Sequence, residues 1–221
     1  MLRVFKPTSA LSMGTYILSP FSAAAGATAA VELLGWFPRL KRFGGIVSAL
    51  FGGPMATYTA VLLANTAVPS WRAPHKQLPF VFSGSAMAAG GGLTMIFTPM
   101  GEAGPSRKMA VTGAAIELAA MHRVENHHGI VSEPYHEGRA GMLLRAAKAC
   151  TAAGAGLTVL AGRSRVGAVA SGTLLAAGSL LTRFGVFDAG MVSARDPKYT
   201  VVPQRERIAA REKEHDSTVT R

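Results

Sequence analysis

Apolar and polar positions are sharply segregated along this chain, with long runs of Ala, Gly, Leu and Val closed by short segments carrying Arg, Lys or Pro. The runs cover residues 10–34, 43–68, 80–100, 107–122, 142–161 and 166–187. Crossing a hydrocarbon core about 30 Å thick takes roughly 20 mostly apolar residues, and most of these runs reach that length. Lipid offers the backbone no water to bond, so a spanning segment of this kind is a helix. The pattern predicts an all-α, polytopic transmembrane bundle of about six helices over residues 1–194, followed by a charged soluble tail over residues 195–221. The first three runs are the plainest. The fourth is short, contains Glu117 and leads into the polar stretch 123–139, so a half-buried course or an extension beyond the membrane stays open. The fifth and sixth are joined by the tight basic turn Gly162-Arg163-Ser164-Arg165.

Composition agrees: 49% of the chain is hydrophobic and only 16% charged, a sparse charge for a soluble globular protein. The net charge of +11 raises nucleic acid as a partner, but many of the basic residues gather at the ends of apolar runs. They stand as Arg39, Lys41 and Arg42, as Arg107 and Lys108, and as Arg163 and Arg165. Loops beside an anionic leaflet look like this, so the expected partner is the bilayer and not nucleic acid. If all six helices span, these three loops share one side, and the N-terminus, the two longer loops and the tail share the other. The near absence of acid from the short loops favours them as cytoplasmic, while the basic tail pulls the other way.

Cys150 is the only cysteine, so the chain forms no internal disulfide and cannot ligate an iron–sulfur cluster that needs about four thiolates. None of the six histidines lies at a helix centre, so no haem is expected on the chain itself. His122, His127 and His128 are close enough in sequence for a metal site, but a hydrated helix end is the simpler reading and no metal is assigned. Small-residue pairs such as Gly26/Ala30, Ala86/Gly90 and Gly167/Ser171 suit close helix packing. Gly90, Gly91 and Gly92 follow no strand, which argues against a phosphate loop.

Charges in or beside the apolar runs are costly unless paired or wetted, which singles out Glu32, Glu117, Arg145, Lys148, Arg183 and Asp188. Arg145 and Lys148 are expected to snorkel to the headgroups, and Glu32 to reach them. Glu117 is the best candidate for a buried group. Arg183 and Asp188 flank Phe184-Gly185-Val186-Phe187, where an ion pair with another helix or a proton path competes with simple snorkelling. Tyr58 and Asn65, with Thr57 and Thr59, give the second helix polar groups that could bond a quinone headgroup or glue helices together.

Several segments resemble, in order, the NrfD/polysulfide reductase membrane-subunit family, particularly its actinobacterial members. The opening Phe5-Lys6-Pro7-Thr8-Ser9-Ala10-Leu11-Ser12-Met13-Gly14-Thr15-Tyr16 is similar to that family's FKPTSPMSVGSW-type motif, with Ala10 in place of the usual proline. Ala56 to Leu63, Thr66 to Trp71, Leu78 to Phe82, Glu133-Pro134-Tyr135 and Leu181 to Phe187 running to Asp196-Pro197 continue the likeness. The resemblance implies an inner (plasma) membrane anchor of a molybdopterin oxidoreductase complex. Such an anchor relays electrons between membrane quinone or quinol and an iron–sulfur subunit that feeds the molybdopterin catalytic subunit. It also implies that no haem is bound and that quinone is the substrate. Family members have about eight helices with this motif after the second, so the chain corresponds to the part from helix three onward. Within that reading Tyr58 and Asn65 are candidates for headgroup contact, and Glu117, Arg183 and Asp188 for proton handling or a buried pair. The loops 72–76 and 123–139 are the expected docking surface for the iron–sulfur partner. A small transporter or a structural membrane protein without redox role is the alternative, although no inverted repeat supports transport. Reading Arg3, Lys6 and the following apolar run as a cleaved signal is disfavoured by the length of the run.

Overall fold

The computed structural model describes residues 9–35 and 37–219. The Phe5–Thr8 part of the motif above lies outside them. Among the described residues eight α-helices follow one another: α1 (Ala10–Leu34), α2 (Pro38–Ala64), the single turn α3 (Pro69–Arg72), α4 (Leu78–Phe97), α5 (Gly104–Asn126), α6 (Gly138–Ala161), α7 (Arg165–Arg195) and α8 (Lys198–Val219). A 3-10 helix, Gly129–Tyr135, joins α5 to α6. Among the described residues there is no strand, and the fold is all-α.

Proline and glycine set many of the boundaries. Pro stands in the first turn of α2, α3, α4 and α5, where its missing N–H would have no helical partner and its fixed φ is already helical. α1 stops at Gly35, which adopts φ 68°, a conformation only glycine takes without strain. The second helix differs from the pattern. It runs Pro38–Ala64 and not 43–68, because Pro38 starts it early and Pro69 drives Val68 into extended backbone. Arg39, Lys41 and Arg42 are thereby inside its first turns and not in a loop. α7 continues to Arg195, eight residues past the apolar run, since a helix has no reason to stop where its side chains become polar.

Five helices, α1, α2, α4, α6 and α7, are long and apolar enough to cross a membrane, and the chain is a multi-pass membrane protein. α5 is equally long but carries Arg107, Lys108, Glu117, His122, Arg123 and Glu125, so it fails on composition alone. It nevertheless runs antiparallel along α4. A Cβ on Gly84 would lie 2.6 Å from the Glu117 backbone nitrogen, and one on Gly91 would lie 2.6 Å from that of Ala110. Main chain meets main chain there, which is how helices associate when lipid supplies no hydrophobic drive.

α4, α5, α6 and α7 form a four-helix core, and the antiparallel α1–α2 hairpin leans on it through α2 and α4. None of α1's apolar stretch and 6% of α2's is buried, so the hairpin turns most of its surface outward. Gly26 has nothing within 4 Å, so the Gly26/Ala30 pair does not pack helices in this chain, unlike Gly167, whose missing side chain admits the end of α6.

The two ends of the bundle differ. At one, short loops meet: the Arg107 Nη1 donates to Gly162 O at 3.4 Å and the Arg165 Nη1 to Thr98 O at 3.3 Å. At the other, α3, the 3-10 helix, the C-terminal end of α7 and the start of α8 are tied into a cap. Trp71 Nε1 donates to Val186 O at 2.8 Å, Tyr135 Oη to Ser70 O at 2.6 Å, and Ser70 Oγ to Val131 O at 2.9 Å. The loops 72–76 and 123–139 therefore share this capped end, as the pattern required.

Candidate functional site: a buried polar layer

The core of the bundle is not continuous. One apolar cluster, toward the capped end, includes Phe82, Ala120, Leu144 and Val186; a second, toward the short loops, includes Ala88, Ala114 and Leu175, with Ala155 against it. Between them each of the four helices contributes polar side chains to one layer: Ser85 from α4, Glu117 from α5, Thr151 from α6, and Ser179, Thr182 and Arg183 from α7. At 1.5 Å per residue Glu117 is about 20 Å from the start of α5 and about 14 Å from its end, near the middle of the helix.

The layer is arranged around two opposite charges. Thr182 Oγ1 donates to Glu117 Oε1 at 2.7 Å, and Ser85 and Thr151 face the same carboxylate. Glu117 is 3% exposed, yet its Oε2 has no hydrogen-bond partner, and neither has the buried Thr151 Oγ1. Arg183 Nη1 donates to Ser179 Oγ at 2.6 Å, to Ser179 O at 3.3 Å and to Ser85 Oγ at 3.3 Å, and the guanidinium stands 5.5 Å from the centroid of the Phe82 ring. Ser85 Oγ donates in turn to Ser179 Oγ at 2.8 Å. Glu117 and Arg183 are not among the ion pairs of the described residues, so their charges communicate through the hydroxyls and the field between them. Such an arrangement is able to hold a proton or pass one between carboxylate, hydroxyl and a trapped water, for which the two unsatisfied oxygens provide bonding positions.

Of the five residues offered for headgroup contact, proton handling or a buried pair, Glu117 and Arg183 lie in this layer and the other three do not. Asp188 lies toward the capped end and pairs across helices with Arg139 of α6 at 3.3 Å, the inter-helix pair weighed for it above. Tyr58 packs its ring on Gly14 of α1. Asn65 ends α2 and lines a 520 Å³ cavity at the capped end with Val61, Ala64, Arg72, Ala73 and His75. Two of the residues expected at the headgroups also form pairs: Lys148 Nζ holds the buried Glu125 carboxylate at 2.8 and 3.0 Å, and Glu32 pairs with Lys41. Arg145 donates to His136 O at 3.3 Å. The hydroxyls Ser85, Thr151, Ser179 and Thr182 were missed. For Ser179 and Thr182 the one available signal is that Ser179 stands three residues before Thr182 and four before Arg183, on one helix face; Ser85 and Thr151 carry none.

His75, His122, His127, His128 and His136 lie at the capped end. Burial, then the neighbouring His127 and His75, push the His128 pKa below its ordinary 6.5. Among the described residues no three His, Cys, Asp or Glu side chains are grouped to hold a metal ion. Fold and site together define the class of this chain: a multi-pass helical membrane protein with a buried carboxylate and a half-buried guanidinium in one polar layer of its core. No protein-family model, curated protein or solved structure matches it.

Proposed function

We propose that the chain is an NrfD-like anchor of a molybdopterin oxidoreductase complex in the plasma membrane. It exchanges electrons between quinone or quinol and an iron–sulfur subunit, with protons handled in its core. The observation that carries this reading is the polar layer. An ionisable carboxylate and a guanidinium inside a membrane bundle cost several kcal/mol to keep, and by default they mark proton or ion handling. The cavity lined by Asn65, Arg72 and His75 supports it further. It lies at the membrane edge, has an apolar wall, and offers an amide, a guanidinium and an imidazole to the oxygens of a quinone headgroup. It opens at the capped end, where the loops 72–76 and 123–139 come together as a docking surface for the iron–sulfur partner. Quinol oxidation releases protons as electrons leave, so a buried carboxylate within the same bundle gives those protons a first acceptor.

The test is quinol-dependent electron transfer in membranes holding the assembled complex. Glu117→Gln and Asn65→Leu should each lower turnover at least tenfold with normal complex content, Glu117→Gln without raising the quinol KM and Asn65→Leu with a raised KM. Wild-type turnover in both would remove the layer and the cavity from the reaction. A chain that never copurifies with a cysteine-rich subunit but catalyses proton-coupled uptake in vesicles would support the transporter instead.

A further inference from the structure

We infer that the short-loop end carries a binding site for one anionic phospholipid, in the groove between α5 and α6. A 500 Å³ cavity there is lined by Arg107, Lys108, Val111, Thr112, Val159 and Arg163, together with the buried Thr158. Three of these are cations and none is an acid. Arg107 and Lys108 stand in the first turn of α5, and Arg163 follows directly on the α6 cap Gly162, so all three charges lie at the membrane edge. Val111, Thr112 and Val159 continue the groove about one turn deeper, and Val159 is 69% exposed. Cations above and an exposed apolar wall below match a phospholipid, whose phosphate lies at the edge and whose chains descend along the helices.

Charge balance supports an anion at this place. At the capped end three of the cations have acidic partners within the chain: Arg139 in Asp188, Lys148 in Glu125 and Lys198 in Glu133. Among the described residues Arg107, Lys108 and Arg163 enter no ion pair, and Arg107 bonds only the carbonyls of Met100 and Gly162. A guanidinium already fixed by two carbonyls, with two free cations around one cavity, is preorganised for a phosphate. The hydroxyl of Thr112 supplies a further donor from the groove wall.

The experiment is native mass spectrometry of the full chain from micelles containing phosphatidylglycerol or phosphatidylcholine, with inorganic phosphate as competitor. One phosphatidylglycerol should be retained in preference to phosphatidylcholine, and millimolar inorganic phosphate should leave it bound. The double variant K108Q/R163Q should weaken retention roughly thirtyfold, from about fivefold for each cation removed near an anionic lipid. R39Q/R42Q, which removes two exposed cations from the same end, should leave retention unchanged. Equal retention of phosphatidylcholine, or equal weakening by R39Q/R42Q, would overturn the site, the latter showing mere attraction to net charge. Displacement by inorganic phosphate alone would make it a free-anion site and overturn the lipid. Should the double variant fail to fold, Val159→Glu places a carboxylate beneath the cations, and undiminished retention in it would overturn the groove.

Discussion

Glu117 illustrates what a membrane core does to a single residue. Its carboxylate is bonded through one oxygen only, so the Thr182 hydroxyl that donates to it acquires more weight than it would have in water. Removing that donor leaves a buried charge short of a partner. Thr182→Val should therefore lower the stability of the chain by about 2 kcal/mol, the cost of stripping a hydrogen bond from a charged group. In a Glu117→Leu background the same change should be nearly neutral, because no carboxylate remains to be satisfied. Reversible unfolding in detergent of the four proteins measures the difference as a double-mutant cycle, and equal losses in both backgrounds would mean that the bond contributes nothing. At this scale the sequence was informative about charge and silent about hydroxyls. An acid in an apolar run is anomalous, which is why Glu117 and Arg183 could be read in advance. Ser85, Ser179 and Thr182 are ordinary in such runs, and only the packing of four helices reveals that they face inward together.

Helix pairs here are held by what is missing from them. Where Gly91 crosses α5, a Cβ would fall 2.6 Å from the Ala110 nitrogen and 2.7 Å from Ser106 O, both backbone atoms that cannot turn aside. Gly91→Ala must push α4 from α5, so a loss of about 1–3 kcal/mol is expected, as for other overpacked cores. Gly156 on α6 has nothing within 4 Å, and Gly156→Ala should be neutral or slightly stabilising because alanine favours the helix. Thermal unfolding of the two variants compares them, and equal midpoints would refute close packing at Gly91. The helical runs were legible from hydrophobic length alone. Their ends were legible only where proline or glycine marked them, as at Pro38, Gly35 and Pro69. α3, the 3-10 helix and α8 left no apolar signature, because they are short or polar and owe their places to Trp71, Tyr135 and Tyr199, which bury themselves against elements distant in sequence.

The whole molecule is polar at both ends, and three of its ion pairs lie at the capped one. At the capped end α8 is tied down through Glu133, which takes hydrogen bonds from Lys198 and Tyr199, the latter at 3.1 Å. Those bonds, Lys198 first, hold the Glu133 pKa below its ordinary 4.5, and Glu133 in turn raises that of Lys198 above 10.5. The carboxylate's contribution is complete above 4.5 and is lost as the pH falls through its lower folded value; the ammonium's is complete below 10.5 and is lost only above it. A spin label at Ile208→Cys, in a Cys150→Ser background, should keep constant mobility from neutral pH down to about 4.5 and become more mobile below it. In Glu133→Gln the mobility should be high throughout. An unchanged signal at pH 3 would show that α8 is held by something else. The sequence by itself determined that this chain lives in a bilayer, as helices, with a carboxylate and a guanidinium where lipid should be. Those facts follow from local chemistry, namely hydrophobic length, backbone bonding and the cost of burying charge. Only the tertiary structure decided which charges meet. Arg183 shares a hydroxyl layer with Glu117, while Asp188, five residues further along the same helix, turns to Arg139, because each side chain's partner is set by helix crossings that bring together residues as many as 123 positions apart.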